Sequence, residues 1–268
     1  MKQKIIYYSD EVNDDFAGTN IKKKPLPENY VYINEGAYGK FKRIFWYYLI
    51  VHPILWLIHR TFKRVKYVNK KALKGFKKQS CFIYGNHTSM FADAFNPSYL
   101  AYPRPADIII NSDATSITGL GWLIKTLGGF PIPDTFAGMK KFNAAIERAV
   151  ELKHWIAVYP EAHIWYYHTK IRNFPATSFA YPVKLKTPVF AYTMTYKKRK
   201  FFKRPKRVVY IDGPFYGDEN LPRKEAVQKL RDEVYFSMCE RAKNSDCEYI
   251  KYVYRPKEQN RESDEEKI

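Results

Sequence analysis

The chain has 268 residues, 46% of them apolar and 17% aromatic, and its 46 Lys+Arg against 27 Asp+Glu give a formal charge of +19. The apolar content excludes a disordered or collagen-like chain, and the length suits one α/β domain with an N-terminal appendage. So large a positive charge implies an anionic partner, whether nucleic acid, anionic lipid headgroups or a phosphorylated substrate, without choosing among them. Cys81, Cys239 and Cys247 form an odd set without metal-ligand spacing, which points to free thiols in a reducing, cytosolic setting.

Residues 1–38 are polar, contain proline and read as an extended arm with a short strand at "YVYIN". They show no apolar core of a secretory signal, so export is not expected. Residues 39–66 contain "KFKRIFWYYLIVHPILWLIHRTFKRVK". The apolar part, Ile44 to Ile58, spans about 15 residues, or roughly 22 Å as a helix, against a hydrocarbon core of roughly 30 Å. It is interrupted by His52 and Pro53 and bracketed by Lys40, Lys42 and Arg43 before and Arg60, Lys63, Arg64 and Lys66 after. This composition predicts a kinked amphipathic helical hairpin lying in one leaflet, with cations at phosphate depth; a buried core helix is the competing reading.

From residue 67 to 250, strand-like runs alternate with helical patterns. "CFIYG", "ADIIINSD", "GGFPIP", "WIAVYPE", "TPVFAYTMTY" and "RVVYIDGPF" read as strands. "MFADAFNPSYLA", "TGLGWLIKTL", "GMKKFNAAIERAVELK" and "PRKEAVQKLRDEVYFSMCERA" read as helices. The alternation predicts an α/β fold with a largely parallel central sheet flanked by helices, followed by a charged, frayed tail over 251–268. Ligands of such sheets gather at the carboxyl ends of strands. There "CFIYG" runs into Asn86, His87, Thr88, Ser89 and Asp93, while "WIAVYP" runs into Glu161, so these distant residues are expected to converge.

In these residues the sequence resembles the 1-acylglycerol-3-phosphate (lysophosphatidic acid) acyltransferases and their glycerolipid acyltransferase relatives, as a divergent bacterial-type member. Asn86-His87 and Asp93 answer the family's Asn-His-x4-Asp, "VYPEAHIW" its Phe-Pro-Glu-Gly-Thr-Arg, and "NFPATSFAYPVKLKTPVFAYT" its later Pro-Phe-Lys-Lys-Gly to Val-Pro-Val stretch. The order of the blocks is more specific than any one of them. Three departures stand out. Five residues rather than four separate His87 from Asp93, Asp134 stands where the second block "GGFPIPD" would carry arginine, and Ala162, His163 and Ile164 replace Gly-Thr-Arg.

The resemblance implies that His87 is the general base, Asp93 its orienting carboxylate and Glu161 a substrate-positioning or site-organising carboxylate. A histidine suits proton removal from an alcohol attacking a thioester at neutral pH, and backbone N–H groups between Gly85 and Ser89 are candidate oxyanion donors. Asn86, Thr88 and Ser89 are expected to line the substrate. With the usual arginines absent, Lys140, Lys141, Lys170 and Arg172 are the candidate phosphate ligands.

The expected donors are acyl-CoA or acyl carrier protein, with no cofactor and no metal. His163 and His168 lack a metal-binding pattern, there is no Gly-x-Ser-x-Gly elbow, and no nucleotide-binding glycine motif occurs. The expected setting is the cytoplasmic face of a membrane rich in anionic lipid, peripheral or monotopic, without nucleic acid as partner. The competing reading is a catalytically inactive peripheral membrane protein that binds anionic lipid through its basic surface.

Overall fold

The computed structural model describes residues 3–16, 25–27, 29–61, 65–116 and 121–256, with 58–61 described by backbone alone. Lys63, Arg64 and tail residues 257–268 lie outside the described residues, as does the side chain of Arg60. In chain order the strands are β1 (Lys4–Tyr8), β2 (Lys66–Val68), β3 (Cys81–Gly85), β4 (Ala106–Ile110), β5 (Gly129–Pro131), β6 (Trp155–Val158), β7 (Val189–Lys197), β8 (Lys206–Phe215) and β9 (Ile250–Tyr254). The helices are α1 (Ala37–Ile44), α2 (His52–Thr61), α3 (Met90–Ala101), α4 (Gly121–Thr126), α5 (Phe136–Glu151), α6 (Ala180–Leu185) and α7 (Arg223–Ala242).

Seven strands form one sheet in the order β2-β8-β7-β3-β6-β4-β5. Strands β7, β3, β6, β4 and β5 are parallel; β8 is antiparallel to β7, and β2 runs with β8. Every residue of β3 is buried, because both faces of the sheet are covered and an apolar run is the pattern such a strand requires. Phe82 and Tyr84 face α5 and α7 through Phe142, Ile146, Leu230 and Val234, whereas Cys81 and Ile83 face the opposite layer with Leu73, Ala92 and Leu100.

The arm and the tail depart from expectation. β1 pairs in parallel with β9, register Lys4↔Ile250 to Tyr8↔Tyr254, so neither the start of the arm nor residues 251–254 are frayed. Rings explain why: Trp165 stacks on Tyr252 at 4.8 Å and meets Tyr8 at the same separation, burying a surface that charge counting along the tail does not show. "YVYIN" forms no strand; Tyr32 instead plugs into the core, donating to Pro131 O (3.1 Å) and packing on Phe130 and Phe142.

The predicted hairpin is one unbroken helical run, from α1 through a π-helical segment at Phe45–Val51 into α2. Pro53 lacks an N–H and its ring crowds the carbonyl four residues back. The turn before it widens, and the His52 N–H donates to Tyr47 O, five residues back. The inward side is fastened by side chains. The Tyr47 hydroxyl accepts from the Ala106 N–H (2.9 Å), Tyr48 donates to Pro103 O (2.8 Å), and His52 Nε2 meets Ser98 O (3.2 Å). Contacts 48 to 103 and 52 to 98 run α2 antiparallel to α3. The outward side leaves Tyr38, Phe41, Leu49, Ile54, Trp56 and Leu57 exposed. No helix among the described residues is long and apolar enough to cross a membrane.

One buried carboxylate ties this helix to the sheet. Asp107, at the start of β4, accepts from Arg43 Nη2 on α1 (2.6 Å) and meets His154 Nδ1 ahead of β6 (2.7 Å). Burial acts to raise its pKa, yet the opposing pull of Arg43 and His154 holds this carboxyl below the usual aspartate range.

Candidate active site

The chain leaves β3 at Gly85, runs through four residues of irregular backbone and enters α3 at Met90. Each polar residue in that stretch has an assigned partner. Asn86 locks onto β7 through its side chain, donating to Met194 O (3.0 Å) and accepting from the Met194 N–H (2.8 Å). The Thr88 hydroxyl accepts from Tyr196 (2.8 Å), and its carbonyl accepts from the Tyr167 N–H (3.1 Å). Ser89 is the N-cap of α3 with extended backbone. Asn86, Thr88 and Ser89 are therefore buried supports of the loop.

His87 is held on three sides. Its Nδ1 lies 2.9 Å from Asp93 Oδ2, and the same oxygen accepts from the Ser89 N–H (2.9 Å). The five-residue interval is absorbed by the helix start: Asp93 N–H donates to Ser89 O (2.8 Å), the first full α-turn, and the carboxylate reaches back over that turn. Asp93 Oδ1 is buried with no hydrogen-bond partner among the described residues. Tyr159, just past β6, stacks on the imidazole at 4.7 Å with planes 19° apart, and its hydroxyl donates to Asp93 O (2.6 Å). The His87 side chain is 17% exposed. With Nδ1 on Asp93 and one face on Tyr159, Nε2 is the ring atom left for chemistry.

Glu161 sits beneath the loop. Its Oε2 accepts from the His87 N–H (3.2 Å) and from Arg172 Nη2 (3.2 Å), while Oε1 accepts from the Arg172 N–H (3.2 Å). Burial raises its carboxyl pKa above the ordinary glutamate value, and Arg172 offsets only part of that rise. Two expected oxyanion donors are thereby occupied, since the His87 and Ser89 N–H groups already donate to Glu161 and Asp93.

Arg172 is itself buried, with its guanidinium 4.7 Å over the Trp165 ring and donating to His163 O and Glu11 O, so it supports Glu161. Lys170 is exposed nearby, and Lys140 and Lys141 are exposed on α5, with Lys140 over the Phe136 ring. Ala162, in the family's glycine position, has φ +62°.

A family model described as Acyltransferase matches residues 63–195, a span containing His87, Asp93, Glu161 and Arg172. That span is an acyltransferase domain. Among solved structures it is similar to the 1-acyl-sn-glycerophosphate (LPA) acyltransferase PlsC from Thermotoga maritima, at 15% identity and a TM-score of 0.51. The match covers 79% of this chain and 95% of that one, and shows a shared fold. No curated protein matches the sequence.

Against the acyltransferase pattern, the part that sequence reading missed is aromatic. Tyr159 and Tyr196 contact His87 and Thr88 directly, and Tyr192 receives the Asn96 amide, whose oxygen accepts from Tyr67 (3.1 Å). Tyr159 stood within the quoted "VYPEAHIW", and its place one step past a buried strand was the available signal.

Proposed function

We propose that this acyltransferase works at a membrane surface, moving a fatty acyl group from acyl-CoA or acyl carrier protein to the hydroxyl of a lysophospholipid resembling 1-acylglycerol-3-phosphate. The observation that carries the reading is the 2.9 Å contact of His87 Nδ1 with Asp93, at the ligand-bearing edge of the sheet. Asp93 fixes the tautomer so that Nε2 accepts the acceptor's proton as its oxygen bonds to the thioester carbonyl. The C–S bond then breaks, and the departing thiolate takes up that proton. No cofactor enters this scheme.

Glu161 holds the His87 backbone and so sets the height of the ring. Arg172 is committed to Glu161, which leaves Lys170, Lys140 or Lys141 to meet the acceptor phosphate. The exposed apolar side of α1 to α2 supports a peripheral position on a membrane, and the three free cysteines favour its cytoplasmic face. The test is turnover of lysophosphatidic acid with labelled acyl-CoA, and in parallel with acyl carrier protein. The expected result is a loss of about 10²-fold or more in His87→Ala. Undiminished turnover in that variant, or none in the parent with either donor, overturns the reading.

A further inference from the structure

The β7–β8 connection carries "KKRKFFKRPKR", residues 197–207, with eight cations in eleven positions around two phenylalanines. Phe201 is 82% and Phe202 61% exposed, and Lys198, Arg199, Lys200, Lys203, Arg204 and Lys206 are exposed with them. None of these six cations forms an ion pair with a carboxylate among the described residues. Instead Arg199 lies 3.8 Å over the Phe202 ring and Lys200 5.4 Å from that of Phe201.

The base of the hairpin is fixed. Lys197 pairs with Asp246 (3.3 Å), the Lys198 N–H donates to the same side chain (2.6 Å), and Tyr196 O accepts from the Asp246 N–H (3.0 Å). Register places the tip. Gly85 aligns with Tyr192, and β7 continues in the same direction to Lys197, roughly 16 Å further at about 3.3 Å per residue. The basic tip therefore projects past the edge where His87 sits, the edge that also exposes Met90 and Phe91 at the start of α3.

We infer that the 198–206 hairpin tip is a second membrane-docking element, with Phe201 and Phe202 entering the headgroup region of an anionic phospholipid bilayer and the surrounding cations meeting lipid phosphates. Two adjacent rings with no core to cover them suit an interface that is oily beneath and negative above. A purely electrostatic contact with an acidic protein gives no place to the rings. The tip and the exposed side of α2 then both meet the bilayer. The inference extends the membrane-surface reading and is measured without turnover, so the two fail separately.

The experiment is vesicle flotation of the full chain on phosphatidylcholine with and without phosphatidylglycerol, for the parent, K198Q/R199Q/K200Q/K203Q/R204Q, F201S/F202S and His87→Ala. His87→Ala should bind as the parent does. The charge variant should lose about tenfold or more in binding to anionic vesicles, with the difference shrinking as salt is raised. The phenylalanine variant should lose the binding that survives salt, and both should keep the parent's unfolding temperature. As an independent readout, Phe201→Trp should shift its emission to the blue on anionic vesicles. Parent-like binding by both variants, or no emission shift, overturns the inference.

Discussion

Asp93 Oδ2 serves two donors at once, the His87 imidazole and the Ser89 N–H. Asp93→Asn places an amide where the ring needs a charged acceptor. The expected outcome is kcat lower by on the order of 10²- to 10⁴-fold with little change in KM, measured by steady-state kinetics. Gly85 has a different constraint, because a Cβ there would lie 2.7 Å from the Tyr192 ring and 2.8 Å from the Tyr159 ring. Gly85→Ala should push Tyr159 off the imidazole and reduce kcat, while Tyr159→Phe, which keeps the stacking and loses only the bond to Asp93 O, should be the milder change. Ala162 already stands in the left-handed region at φ +62°. Ala162→Gly relieves that conformation and, after the entropy glycine adds to the unfolded chain, should stabilise by up to about 1 kcal/mol in chemical unfolding.

At the scale of elements, the α1 to α2 run is held more by polar anchors than by its own propensity. Removing the charge in Asp107→Asn leaves Arg43 partly buried without its counter-ion, which should cost on the order of 3–5 kcal/mol. Tyr47→Phe orphans the buried Ala106 N–H and should cost about 1–3 kcal/mol. Urea titration of both variants checks the order, with Asp107→Asn the worse.

These anchors also show what sequence could reveal. Buried strands such as "CFIYG" and the polar turn after it are local patterns, so the parallel sheet and the approach of His87 to Asp93 were legible. The continuity of the helix through His52 and Pro53 was not, because proline next to histidine reads as a break unless the widened π turn is known. The β1–β9 pairing joins residues about 246 positions apart through aromatic contacts that no local period reveals. Arg172 reads in the sequence as a candidate phosphate ligand, and only the fold shows that it is enclosed with Glu161.

For the whole molecule, acid stability turns on buried histidines. Burial, reinforced by Arg172 and Lys170, lowers His168 to about 4, and burial lowers His52 as well. A histidine depressed in the folded state contributes its full stability above the ordinary value near 6.5 and loses it as pH falls through the folded value. For His168 the loss between about pH 6.5 and 4 amounts to up to roughly 3 kcal/mol. Glu161, raised by burial, acts in the opposite sense, regaining stability as it protonates, and Asp107 enters only at lower pH. His168→Gln should therefore flatten the acid limb of a stability-versus-pH curve relative to the parent, and identical curves would refute the assignment.

The Arg43–Asp107–His154 node has a mechanical corollary. A helical run riveted to the strands by a shared charge resists peeling away from the sheet, because withdrawing Arg43 would leave the buried Asp107 carboxylate without that counter-ion. On the proposed membrane-surface reading, the protein would settle onto a bilayer as a solid body, choosing only tilt and depth, so that the His87 imidazole arrives at a height set by the fold and not by the lipid.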